Sequence, residues 1–138
     1  MNGNFWITFF IIFLYYIILD GIMIASYMGN NFGIMIKKIQ NGEPMKTRLI
    51  PAIICFLILA FGINYFVLDK VRNTHIITDS LKYGLVFGLT VYAVYDLTNY
   101  ATFKNYTLKT TIIDILWGGT LGFVVTALTK YTITRFSL

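Results

Sequence analysis

Four long apolar segments constrain this sequence more than any other feature. They cover about residues 5–27, 49–68, 80–102 and 110–132, and each reaches the roughly 20 residues that a helix needs to cross a bilayer. We predict helices because backbone groups in lipid must be hydrogen-bonded within the segment, and because the segments are continuously apolar and do not alternate as strands do. The sequence therefore predicts one all-α domain over residues 1–138, an integral membrane four-helix bundle with short loops.

The low content of charged residues supports this prediction. Charged side chains make up 12% of the 138 residues, against about 25% in a typical soluble domain, which is too little to cover a water-facing surface. The net charge is +5, but the basic residues lie between or beside the apolar segments, where they contact lipid headgroups. No basic stripe with interleaved aromatic residues is present, so membrane lipids are the expected partners and nucleic acid is not.

The longest connection, residues 28–48, is predicted to contain one interfacial segment. Gly29 and the two asparagines after it are expected to break the first helix near Tyr27. The apolar residues that follow are mixed with Lys37 and Lys38, a pattern typical of a segment that lies among the headgroups.

Three aspartates inside the apolar segments carry most of the functional information. A charged residue at a helix centre costs roughly 2.5–3.5 kcal/mol on insertion scales, so Asp20, Asp96 and Asp114 need an explanation. The first and third helices run in the same direction, and the fourth begins where the third ends, so all three aspartates belong to one leaflet. The two connections on that side hold six basic residues: Lys37, Lys38, Lys46, Arg48, Lys104 and Lys109.

Polar neighbours on the third and fourth helices extend this acidic cluster. Tyr92, Asp96 and Asn99 share a helix face at spacings of i, i+4 and i+7. Such a set could hold a small ligand, a lipid headgroup, an ion or a proton. The predicted binding site consists of six residues: Asp20, Tyr92, Asp96, Asn99, Asp114 and Trp117. The alternative is a purely structural cluster, in which polar side chains bridge neighbouring helices.

Two pairs of glycines predict close helix packing. Gly84 and Gly88 lie four residues apart in the third segment, and Gly118 and Gly122 have the same spacing in the fourth. Small residues at this spacing let membrane helices approach closely. Packing within the chain is favoured over dimerisation with a second copy.

No set of residues typical of an enzyme stands out. His75 is the only histidine and lies in a connection on the side opposite the acids, and Cys55 is the only cysteine. No nucleotide-binding loop or Ser/His/Asp arrangement is present in the sequence. We therefore predict no catalytic residue, metal or cofactor, and enzymatic activity is the less favoured alternative. The excess of Ile over Leu indicates an AT-rich genome, such as that of a low-GC microbe or a large virus.

The stretch YDLTNYATFKNYTLKTTIIDILWG, residues 95–118, resembles a bacterial family of small four-helix membrane proteins, domain of unknown function two-one-seven-seven. The family pattern reads Y-D-L-T-N-x-A-T-L-K, then an aromatic residue, then D-x-x-W-G. The matching residues are Tyr95, Asp96, Leu97, Thr98, Asn99, Ala101, Thr102, Lys104, Asp114, Trp117 and Gly118. The resemblance implies the four-helix fold and implies no activity.

The first helix carries a weaker part of this resemblance. Leu19 and Asp20 match a leucine-aspartate pair in the family's first helix. Met23 and Tyr106 stand where the family has Trp, which weakens the case for an aromatic-stacking role in this chain.

The sequence thus predicts a multi-pass integral membrane protein with a carboxylate cluster in one leaflet. The favoured hypothesis is that this cluster binds a small ligand, a lipid headgroup, an ion or a proton. The alternative is a structural subunit of a larger membrane assembly, such as a respiratory-type complex or a virion membrane. In that case the acids only lock helices together or bind a basic residue of another subunit.

Overall fold

The computed structural model describes residues 5–138, which form four helices joined by short connections. We number them in chain order: α1 is Phe5–Ile39, α2 is Leu49–Lys70, α3 covers residues 76–102 and α4 is Leu108–Phe136. No strand occurs within residues 5–138, so the predicted all-α, four-helix fold is confirmed.

Three of the helices, α1, α2 and α4, are long and apolar enough to cross a membrane. Helix α3 is of similar length but less apolar, because Lys82, Asp96 and Asn99 interrupt it. Its most extensive contact is with α4, along which it packs over most of its length. That a fourth helix crosses the membrane stays a prediction, and this packing beside a membrane-spanning helix supports it.

The structure corrects the predicted end of α1. The helix does not stop near Tyr27 but continues to Ile39, and it passes through a π-helical turn at Ile24–Met28. Gly29 is itself helical, with φ −56° and ψ −42°. A glycine lowers helix stability by only about 1 kcal/mol relative to alanine, which tertiary packing of the residues that follow can offset. The expected break at Gly29 is therefore wrong.

The last part of α1, Gly29–Ile39, packs on the loop between α3 and α4. The ring of Phe32 lies 6.4 Å from the ring of Tyr106, and the backbone N–H of Thr107 donates to the sulfur of Met35 at 3.4 Å. Helix α1 has 35 residues, about 52 Å at 1.5 Å per residue, which exceeds the roughly 30 Å of a hydrocarbon core. Placement of this last part in the membrane interface stays a prediction.

Helix α3 begins at Ile76, four residues before the predicted start, and an ion pair holds the turn before it. The guanidinium of Arg72 donates to both carboxylate oxygens of Asp79, each at 2.8 Å, and the backbone N–H of Arg72 donates at 3.0 Å. This guanidinium holds the pKa of the Asp79 carboxyl well below its usual range. Asp79 therefore joins α2 to α3 and does not cap a helix.

Helix α4 also begins before its predicted start, at Leu108, and a side-chain cap explains the difference. The Thr107 hydroxyl oxygen accepts a hydrogen bond of 3.2 Å from the backbone N–H of Thr110. This bond satisfies one of the free N–H groups of the first turn.

Helices α3 and α4 approach each other through their glycines. A Cβ atom on Gly88 would overlap the carbonyl oxygen of Gly118, and one on Gly122 would overlap that of Gly84. A Cβ atom on Gly118 would overlap the ring of Tyr92. The four glycines singled out in the sequence thus lie where the backbones of α3 and α4 touch.

The apolar core lies between the first half of α1, the second half of α2 and the middle of α4. Its fully buried side chains include Ile12, Tyr16, Ile63, Leu121 and Val125. By contrast, residues 49–55 at the start of α2 are exposed except for Ala52, which is half-buried. Helix α2 therefore packs in the bundle mainly through its second half, and its first half is largely exposed.

The variant Gly88→Ala should destabilise the bundle, because its methyl group would meet the backbone of Gly118. We expect a loss of about 1–3 kcal/mol, the usual cost of overpacking, measured as a lower unfolding midpoint in detergent. Gly21→Ala is the matched control, since no atom lies within 4 Å of its added Cβ and alanine favours a helix. Equal midpoints for the two variants would contradict the backbone contact.

The ion pair between Arg72 and Asp79 predicts a pH dependence of stability. Because the pKa of Asp79 is lowered in the folded protein, the pair stabilises the fold at neutral pH. This contribution is lost as the pH falls below about 4, the ordinary value for an aspartate, towards the folded value. The unfolding midpoints of wild type and Asp79→Asn should therefore differ at pH 7 and converge in acid. Asp69→Asn, which removes an exposed acid nearby, should change little; a wild-type advantage over Asp79→Asn that is independent of pH would refute the assignment.

Candidate functional site

The three aspartates of the apolar segments come together between α1, α3 and α4. Asp20 lies one turn before the π-helical turn of α1 and accepts a hydrogen bond of 2.8 Å from the indole Nε1 of Trp117. The bond joins α1 to α4 and gives one oxygen of the Asp20 carboxylate a partner inside the protein. Asp20 also lies near Asp114, so the acid of α1 belongs to the same cluster as those of α3 and α4.

Asp96 and Asp114 form a buried carboxyl pair. Asp96 is 0% exposed and Asp114 is 9% exposed, and their carboxyl groups adjoin each other. The hydroxyl of Tyr106 donates to Oδ1 of Asp96 at 2.7 Å, whereas Oδ2 has no N–H or O–H donor among the residues described. Two adjoining carboxyl groups can hydrogen-bond to each other only when one of them carries a proton.

A pocket of about 270 Å³ opens beside this cluster. Its acidic residues are Asp20 and Asp114, and no Lys, Arg or His within residues 5–138 lines it. The remaining wall is aromatic and apolar: Phe32, Tyr92, Tyr95, Trp117, Ile24, Met28, Gly29, Met45 and Thr47. The pocket thus combines two carboxyl groups with aromatic and aliphatic side chains.

The pocket takes in most of the predicted site, namely Asp20, Tyr92, Asp114 and Trp117. Asp96 lies behind Asp114 and does not line the pocket. Asn99 is half-buried beside Tyr95 and Tyr106 and also lies outside the pocket. The predicted residues therefore divide into a pocket wall and a buried group behind it.

Tyr106 is the main residue of this site that the sequence analysis missed. It is 5% exposed, donates to Asp96 and meets the ring of Phe32 at an interplanar angle of 75°. An aromatic contact is thus present at this position, although Tyr stands where the family has Trp. Tyr106 lies in a loop, where no helical periodicity marks buried positions. Its hydroxyl supplies a hydrogen-bond donor, as the indole N–H of the Trp expected there would.

The π-helical turn of α1 forms a second part of the site that the sequence did not reveal. Ile24 and Met28, at its two ends, both line the pocket. Such turns often occur at functional sites. A Cβ atom on Gly29 would lie 2.6 Å from the carbonyl oxygen of Ile24, so the widened turn requires glycine at the position interpreted as a helix break.

Comparison with known proteins identifies a family for this chain. The sequence profile described as "Predicted membrane protein (DUF2177)" matches residues 5–131, which agrees with the family that the motif in residues 95–118 indicated. No curated protein and no solved structure matches the chain significantly.

The variant Tyr106→Phe should destabilise the protein, because it leaves a buried oxygen of Asp96 without its donor. The expected loss is about 1–3 kcal/mol, the cost of an unsatisfied buried polar group, measured from unfolding midpoints in detergent. Tyr65→Phe is the matched control, since Tyr65 is 59% exposed on α2. If both variants unfold at the same midpoint, the bond between Tyr106 and Asp96 contributes nothing.

Proposed function

We propose that this chain, which belongs to the DUF2177 family of predicted membrane proteins, binds the positively charged amine group of an amphipathic molecule. The binding site is the pocket beside Asp20. The observation that carries the proposal is the composition of the pocket wall. Two carboxyl groups and four aromatic rings line it, and no basic side chain of residues 5–138 does.

Electrostatics favours a cationic ligand over an anionic one. Two opposite unit charges 4 Å apart attract by about 4 kcal/mol at an effective dielectric constant of 20, so Asp20 alone would hold an ammonium group. A cation over an aromatic face gains a further ~0.5–2 kcal/mol, and Tyr92 and Trp117 offer such faces. An anionic group would meet repulsion from the same carboxylates.

The apolar part of the wall suits a ligand that also carries a hydrocarbon chain. Ile24, Met28 and Met45 lie in the same pocket as the acids. Its 270 Å³ correspond to roughly nine water molecules at ~30 Å³ each. That is room for a headgroup, so the chains of a lipid would remain in the bilayer.

The exposed first half of α2 supports entry of the ligand from the bilayer. Cys55 lies near Asp20 and Tyr92, yet Cys55 itself is exposed. The side of the pocket towards α2 is therefore open. An amphipathic molecule could place its polar end in the pocket without leaving the membrane.

The segment before α2 favours a zwitterionic headgroup over a headgroup that carries only an amine. Met45 and Thr47 line the pocket, and the exposed Lys46 and Arg48 alternate with them. Basic side chains at the rim could hold a phosphate, while the amine occupies the acidic interior. Phosphatidylethanolamine carries both an amine and a phosphate group.

The proposal is tested by binding of dodecyltrimethylammonium to the purified protein in nanodiscs, measured by calorimetry. Asp20→Asn should weaken binding at least about tenfold, equivalent to about 1.4 kcal/mol, because it removes the carboxylate that attracts the ammonium group. Asp69→Asn removes an exposed acid at the other end of the bundle and should bind as wild type. Equal affinities of the two variants would refute the site.

Two further probes distinguish the source of the cation. Tetramethylammonium has no chain, so binding as tight as that of the dodecyl compound would indicate a water-soluble amine. Retention of phosphatidylethanolamine over phosphatidylglycerol from mixed vesicles would indicate a lipid. Failure of all cationic probes to bind folded wild type would overturn the proposal. Copurification of a second membrane protein in a fixed ratio with this chain would then support the structural-subunit alternative.

A further inference from the structure

We infer that the Asp96–Asp114 pair holds one proton at neutral pH and releases it to the pocket when a cation binds there. The site would thus exchange a proton for an organic cation. The exchange rests on the proposed function, whereas the resident proton rests on the geometry of the pair alone.

The geometry of Asp96 requires a donor that the chain does not supply. Its side chain is 0% exposed, its Oδ1 is bonded by Tyr106, and its Oδ2 has no donor among the residues described. The neighbouring carboxyl of Asp114 is placed to share a proton with it. A proton between the two groups removes the repulsion of two buried negative charges and gives the unpartnered oxygen a hydrogen bond.

The position of the pair gives the proton one route to the pocket. Asp114 lines the pocket, whereas Asp96 does not. When the proton leaves, a carboxyl O–H bond breaks and a water molecule in the pocket takes the proton. The pair then carries two negative charges instead of one, and the arriving cation balances the second. The total charge of the site is the same before and after exchange.

The other titratable groups around the pair do not change the total charge of the site during the exchange. Asp20 of α1 accepts from Trp117, and its ionised form attracts the cation. The remaining groups are neutral in their ordinary form at pH 7: Tyr16, Cys55, Tyr92, Tyr95 and Tyr106. No basic side chain of the described chain lines the pocket, so none competes with the ligand.

The resident proton is tested without ligand, by infrared spectroscopy of the reconstituted protein at pH 7. Wild type should show the C=O stretch of a protonated carboxylic acid, and the band should disappear in Asp114→Asn. It should remain in Asp69→Asn, whose residue 69 is exposed outside the pocket. A spectrum that is the same in all three proteins would overturn the resident proton.

The exchange is tested with dodecyltrimethylammonium as the probe. About one proton should appear in weakly buffered solution per probe bound at pH 7. The affinity should rise about tenfold per pH unit, because proton and cation compete for the pair. Asp96→Asn should bind the probe without releasing a proton and with an affinity independent of pH.

A second variant keeps the test decisive where the Asp variants do not fold. Tyr106→Phe retains both carboxyl groups but removes the donor that favours a charged Asp96, so proton release should require a higher pH. Exposed Tyr65→Phe should leave the pH profile unchanged. Probe binding without proton release would overturn the exchange and leave the proposed function standing. Absence of probe binding would overturn both the exchange and the proposed function. The infrared band tests the resident proton independently of probe binding.

Discussion

The backbone contact between α3 and α4 determines where the acidic residues of this protein lie. Gly84 faces Gly122 and Gly88 faces Gly118. The helices are antiparallel, so each step of four residues forward along α3 corresponds to a step of four residues back along α4. Continuing that register one turn further places Asp114 level with Tyr92, and Asp96 follows one turn later on the same face. Without glycines the helices would stand farther apart, and the two carboxyl groups would not adjoin.

The contacts of the three aspartates bear on the choice between a binding site and a purely structural cluster. A structural cluster inside a membrane would pair all its polar atoms, because unsatisfied groups are costly there. Trp117 and Tyr106 do satisfy one oxygen each of Asp20 and Asp96. However, Oδ2 of Asp96 has no donor in the chain as described, and two of the acids face an open pocket. The unpartnered oxygen of Asp96 is consistent with a shared proton, and the open pocket is the feature that a purely structural cluster does not require.

The sequence predicted those features that depend on helix length, helix direction and spacing along one face. Helix direction alone put Asp20, Asp96 and Asp114 in one leaflet, and the motif of residues 95–118 indicated the family. The sequence could not predict the continuation of α1 through Gly29, because packing on the α3–α4 loop decides between a helix and a break there. Tyr106 and the partner of Asp79 also escaped prediction, since loop and turn contacts have no periodic pattern. The residues at the pocket rim depend on the same non-local packing.

The last part of α1 connects the pocket wall to the buried carboxyl pair. Phe32 lines the pocket and also meets the ring of Tyr106, which is the donor to Asp96. The amide of Asn105 donates to the carbonyl oxygen of Lys38 at 3.3 Å, so the same stretch of α1 holds the loop that carries Tyr106. The side chain of Phe32 is thus connected through Tyr106 to the carboxyl group of Asp96. The pocket wall and the buried carboxyl pair therefore share one continuous set of contacts, so a substitution at Phe32 is expected to affect both.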